Sequence, residues 1–124
     1  MILNTGIITE KMQESIAFYS TAFGCKVRFE NEFYAVLETP AKNAEISFLL
    51  PNHPTQNPIF HKPFTGQGIY LIVEVENVDA EYERIKALNI PITLDIRNEE
   101  WGERHFTLTD PNGVNVDVVT YPQQ

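Results

Sequence analysis

IYLIVEVENVDAEYERIKALNIP, Ile69 to Pro91, carries a complete strand, cap, helix and stop in one continuous stretch. Ile69 to Val75 is a short apolar-rich run of strand type. Asn77 follows as an N-cap, with Asp79 and Glu81 in the first turn, where carboxylates complement the exposed amides and the helix dipole. Val78, Tyr82, Ile85 and Leu88 then recur at helical spacing, and Asn89 and Pro91 end the helix. Working outward, strands are predicted at Ile92 to Ile96, Arg104 to Thr109 and Val114 to Thr120, the last two joined by the turn Asp110-Pro111-Asn112-Gly113.

The first half of the chain repeats this order. Leu3 to Thr9 reads as a strand, Met12, Ile16, Tyr19 and Phe23 mark one face of a helix, and Gly24 stops it. Strands are predicted at Lys26 to Glu30, Phe33 to Glu38 and Ala44 to Leu50. Pro51, Pro54, Pro58 and Pro63 then remove amide donors and fix φ, so residues 51–66 read as a linker. His53 and His61 lie in it as exposed or loosely packed side chains rather than a metal pair. The expected organisation is one α+β domain over residues 1–124, with a module at 1–50, the linker, and a second module at 67–124. A repeat covering half the chain points to a duplicated supersecondary unit.

Composition bounds the function. With 124 residues and 43% hydrophobic side chains, the chain is one domain in size and buries a real core. Seventeen acids against nine Lys and Arg give a net charge of -8, which disfavours nucleic acid and anionic membranes as partners. No apolar run has the length of a membrane span, and the N-terminus lacks the basic start of a signal peptide, so a cytoplasmic protein is expected. The single cysteine, Cys25, has no activating neighbour and reads as a packed thiol.

Ser15-Ile16-Ala17-Phe18-Tyr19 followed by Phe23-Gly24, Val75-Glu76-Asn77-Val78-Asp79-Ala80, Trp101-Gly102-Glu103-Arg104 and Asp110-Pro111-Asn112-Gly113 stand in order along the chain. Together they resemble the signatures of the vicinal oxygen chelate superfamily, the glyoxalase, bleomycin-resistance and dioxygenase-like proteins. The resemblance implies two βαβββ modules curling into an open, cup-like mixed β-barrel with helices outside, and commonly a homodimer.

In metal-dependent members of that family, four inward positions carry His, Glu or Gln around a divalent ion. Counted from the signatures, the corresponding residues here are Asn4, Ser47, Tyr70 and Asp117. Only Asp117 is a conventional ligand, so no metal site and no cofactor are expected. A shifted site for magnesium or calcium would draw on Glu45 and Glu74, which alternate with Ser47 and Tyr70 on the same strands. Without a metal, the four positions either bind a ligand or are satisfied by water and neighbours. Val116 and Val118 face the helix on this reading, which turns Asp117 inward, where it pairs with a cation or acts as a catalytic base.

Trp101, beside Asn98-Glu99-Glu100, suits a flat or cationic ligand or packs against the rim or a partner. Arg104 and His105 alternate, so one faces inward; Arg104 is the choice for anion recognition, with a surface salt bridge as its alternative. The ligand-binding set is therefore Asn4, Ser47, Tyr70, Trp101, Arg104 and Asp117. The leading expectation is a metal-independent small-molecule binding protein that sequesters an aromatic or cationic compound. The alternatives are a divalent-metal lyase or isomerase resembling glyoxalase I, and a metal-free isomerase using Asp117 as base.

Overall fold

The computed structural model describes residues 1–122. The chain divides into two compact units, Met1–Thr65 and Gly66–Gln124.

In the first unit, β1 (Thr5–Ile8) leads into α1 (Met12–Phe23), followed by β2 (Lys26–Glu30), β3 (Tyr34–Glu38) and β4 (Glu45–Leu49). The sheet order is β1-β4-β3-β2, with β1 parallel to β4 and the other pairs antiparallel. Alternation decides the faces. Ile7, Ile46, Phe48, Ala35 and Leu37 are buried beside Met12, Tyr19 and Ala22 of α1, with the Tyr19 and Phe48 rings 5.8 Å apart. The intervening residues form two rows on the other face, Gly6–Ser47–Val36 and Ile8–Leu49–Tyr34. Gly24 takes the left-handed conformation at φ 68° that closes α1, and its amide donates to Ser20 O at 3.0 Å. Cys25 is buried, and burial pushes its thiol pKa up, as a packed thiol requires.

The proline-rich segment is more ordered than a linker reading implies. Asn57 caps a 3₁₀ turn at Pro58–Phe60 through Ile59 N, and Phe64 N donates to Ile8 O at 2.9 Å. His53 stacks on Phe33 with centroids 3.8 Å apart, and His61 Nε2 donates to Gln56 O at 2.8 Å. Each histidine, partly exposed, thus has a defined partner. Short polar caps and one ring stack supply the order that the missing proline amides cannot.

The second unit repeats the pattern: β5 (Tyr70–Glu74), α2 (Val78–Ala87), β6 (Leu94–Asn98), β7 (Arg104–Thr109) and β8 (Asn115–Thr120), in the order β5-β8-β7-β6. Again the outer β5 runs parallel to the last strand, β8. Phe106, Leu108, Val116 and Val118 are buried with Val78 and Ile85 of α2, and Tyr82 meets Phe106 edge-on at 5.4 Å. Asn77 Oδ1 accepts from Ala80 N at 3.1 Å, and Thr120 Oγ1 bridges Val78 N and Val75 O. Asp110 Oδ1 accepts from the Asn112 and Val114 amides and so builds the last turn. β6 starts two residues later than expected, at Leu94, and its register with β7 shifts between Leu94 and Arg97. Among the described residues, no helix is long and apolar enough to cross a membrane.

Candidate functional site

The open face of the first sheet carries a cleft of about 690 Å³. Its floor is the two rows of alternate residues, from which Gly6, Ile8, Ser47, Leu49 and Tyr34 line it. Asn31 and Phe33 from the β2–β3 connection and Gln56 and Phe60 from the proline-rich segment form its walls. Asn4 closes one end, where its Oδ1 accepts from Glu45 N at 2.9 Å and ties the chain before β1 to the start of β4.

Two histidines outside the cleft hold its walls. Thr55 N donates to His53 Nδ1, so that nitrogen is the acceptor, and the ring lies flat against Phe33. His61 reaches the carbonyl of Gln56. None of the lining residues carries a formal charge, while aromatic and aliphatic side chains surround five uncharged polar ones, Asn4, Thr5, Asn31, Ser47 and Gln56.

The second unit holds a charged cluster. On the sheet face opposite α2, Ile72, Asp117 and Thr107 form one cross-strand row, and Glu74, Val119 and His105 form the next. His105 is 9% exposed. Its Nδ1 lies 2.6 Å from Asp117 Oδ1 and its Nε2 lies 2.7 Å from Glu99 Oε2. Carboxylate oxygens accept, so both ring nitrogens donate and the ring is an imidazolium. Burial pulls the His105 pKa down, but the bonds and charges of Glu99 and Asp117 outweigh it and hold the ring above its ordinary 6.5. The bond from His105 holds Glu99 below the usual carboxylate range against its burial, and Arg97 at 3.0 Å adds to this. Thr107 Oγ1 also donates to Asp117 Oδ1, at 3.2 Å. Nearby, burial and then the negative charges of Glu103, Glu74 and Asp117 push the Tyr121 phenol up.

The expected site residues come from both units. Asn4 and Ser47 meet in the first unit's cleft. Asp117 faces away from the α2 side, as the burial of Val116 and Val118 requires, with Tyr70 at the edge of the same face and 60% exposed. Trp101 sits in the β6–β7 turn, 65% exposed. Arg104 shares the parity of the buried Phe106 and Leu108 and lies on the α2 side, paired with Asp79 at 2.9 Å. The choice of Arg104 over His105 as the partner of Asp117's face is thereby corrected: that residue is His105. The signal was in the sequence, because Arg104 alternates in step with two large apolar residues and His105 with two threonines. Glu99, Asn31, Phe33, Gln56 and Phe60 lie in connections, where periodicity gives no warning.

The donors do not fit a resident divalent ion. Asn4 and Ser47 offer neutral oxygens, one already committed to the backbone. Asp117 is bonded to His105 and Thr107, and both ring nitrogens of His105 are engaged by carboxylates. Glu45 is held by Arg28 at 2.5 Å and 3.3 Å, so it is not free for a shifted site. Among the described residues, no group of three or more His, Cys, Asp or Glu is placed to hold a metal.

A family model described as Glyoxalase/Bleomycin resistance protein/Dioxygenase superfamily matches residues 2–118. Among solved structures, the chain is similar to a glyoxalase/bleomycin resistance protein/dioxygenase from Nocardioides, at 20% identity and TM-score 0.80 over 100% of this chain and 88% of that one. A lactoylglutathione lyase from Agrobacterium tumefaciens aligns at 20% identity and TM-score 0.77, over 97% and 92% of the two chains. A bleomycin resistance determinant encoded on transposon Tn5 aligns at 15% identity and TM-score 0.73, over 99% of each. At these identities the likeness is one of fold, and it agrees with two four-stranded mixed sheets that each carry a helix. A search of curated proteins finds no match.

Proposed function

This chain belongs to the Glyoxalase/Bleomycin resistance protein/Dioxygenase superfamily, and within it we propose a metal-independent binding protein for an uncharged aromatic small molecule. The observation that carries the reading is the first unit's cleft, which combines the rings of Phe33, Tyr34 and Phe60 with uncharged hydrogen-bonding groups. Its 690 Å³ falls within the several hundred Å³ usual for small-molecule sites. A cationic ligand would find ring faces here but no carboxylate, and an anionic glutathione conjugate would find no cation. Both considerations narrow the expected ligand to a neutral one.

On this reading, Asp117 positions His105 and braces the β6–β7 hairpin instead of serving as a base, since its charge is already paired with His105. A homodimer, implied by the family, belongs to the same proposal. Gly6→Leu tests the cleft. No atom lies within 4 Å of the place a Cβ would occupy at Gly6, so a larger side chain is accommodated there while it fills the cleft. A neutral aromatic ligand at about 100 times its Kd should stabilise the wild-type protein by about 2.7 kcal/mol in a thermal titration and leave Gly6→Leu unmoved. Equal stabilisation of both proteins would place binding elsewhere and defeat the proposal.

A further inference from the structure

The cleft's ligand class follows from how its amide side chains are anchored, given the reading of that cleft as the binding site. Asn4 Oδ1 accepts from Glu45 N at 2.9 Å, and Asn31 Oδ1 accepts from Phe33 N at 3.0 Å and Tyr34 N at 2.8 Å. A backbone N–H only donates, so it must meet the oxygen of the side-chain amide and never the NH₂. Turning either amide over would set N–H against N–H and orphan one or two main-chain donors. Both orientations are therefore dictated by the main chain, independently of any ligand.

The consequence is a directional bias. Asn31 Oδ1 has both lone pairs taken by the backbone and Asn4 Oδ1 one of its two, and no partner for Nδ2 of Asn4 or Asn31 is found among the described residues. Gln56 is set the other way. Thr55 N donates to His53 Nδ1, so the Thr55 hydroxyl must also donate to that nitrogen, and its oxygen accepts from Gln56 Nε2 at 3.2 Å. Gln56 Oε1 is then the fixed amide acceptor of the cleft, against two fixed amide donors. Ser47 adds a hydroxyl that can turn either way.

We propose that the cleft recognises uncharged aromatic ketones, lactones and related oxygen-bearing ring compounds, whose carbonyl or ring oxygens accept from Nδ2 of Asn4 and Asn31. The rings pack among Phe33, Tyr34 and Phe60, and the two donors discriminate against the same ring system without its oxygen. A purely apolar analogue leaves both NH₂ groups desolvated and unpaired, which is the costly outcome for a polar group.

The test titrates the full chain with 9-fluorenone and with fluorene, which differ only by the carbonyl, and follows the Asn side-chain NH₂ resonances by ¹H–¹⁵N NMR. Fluorenone should bind about tenfold tighter than fluorene, as two modest hydrogen bonds imply, and should move the Asn4 and Asn31 NH₂ signals. Asn4→Asp and Asn31→Asp keep the oxygen that holds the backbone and replace the donor, so each should bring the fluorenone-to-fluorene ratio toward one. Equal wild-type affinities that both vanish in Gly6→Leu would overturn the donor inference and leave the cleft reading standing. A preference for fluorenone that survives in both Asp variants would overturn it equally. Failure of both compounds to bind would take the cleft reading down with it.

Discussion

Asp117→Asn isolates the charge in the second unit's cluster, because the replacement keeps an oxygen where Oδ1 accepts from His105 and Thr107. Geometry is retained and one of the two carboxylates facing the imidazolium is neutralised. A hydrogen bond to a charged group contributes about 1.5–3 kcal/mol and a neutral one about 0.5–1.5, so the variant should lose roughly 1 kcal/mol while His105 is protonated.

The sign with pH follows from the raised His105 pKa. A group whose pKa is higher folded than unfolded contributes its full stability below the unfolded value, here the ordinary 6.5, and loses it as pH rises through the folded value. Glu99, held low, contributes in the opposite sense and weakens only as pH falls below the ordinary 4.5. The cluster is therefore strongest between those two values. Urea unfolding of wild type and Asp117→Asn at pH 5.5 and at pH 9 should show the difference at the lower pH and its decline at the higher one. An NMR titration should show the His105 pKa falling toward its ordinary value in the variant. A stability difference independent of pH, or an unmoved His105 pKa, would refute the imidazolium assignment.

Two other predictions address the scaffold. Phe106 is fully buried against Tyr82 of α2, so Phe106→Ala should cost about 3–5 kcal/mol by chemical denaturation; a loss under 1 kcal/mol would mean the sheet does not pack on α2 through this ring. Gly24→Ala should cost about 1–2 kcal/mol from its left-handed φ of 68° alone. The new Cβ would stand 3.5 Å from Pro40, an ordinary contact, so a much larger loss would point to crowding at that site instead of backbone conformation.

Much of the fold was legible along the chain because its causes are local. Helical spacing marked α1 and α2, Gly24 and Asn89 took the positive φ their positions demanded, and Asn77 and Asp110 made the cap and turn that short side chains with an acceptor oxygen make. Alternation alone put Asp117 opposite Val116 and Val118. The same alternation contained the correct answer for Arg104 and His105, since a strand face that holds Phe106 and Leu108 is the core face and its charged member must reach past it to Asp79.

The candidate site, by contrast, depends on pairings between residues far apart in the chain. Asn4 meets Glu45 because β1 lies parallel to β4, and no local pattern specifies which strand becomes its neighbour. The proline-rich segment carries no periodicity, yet its return over the first sheet supplies Gln56 and Phe60 and turns an open face into a cleft. Glu99 reaches His105 only through the antiparallel register of β6 and β7. Periodicity reports which way a side chain points from its own strand; the identity of the group it meets is set by sheet order, register and the path of the loops, which arise from packing the whole unit at once.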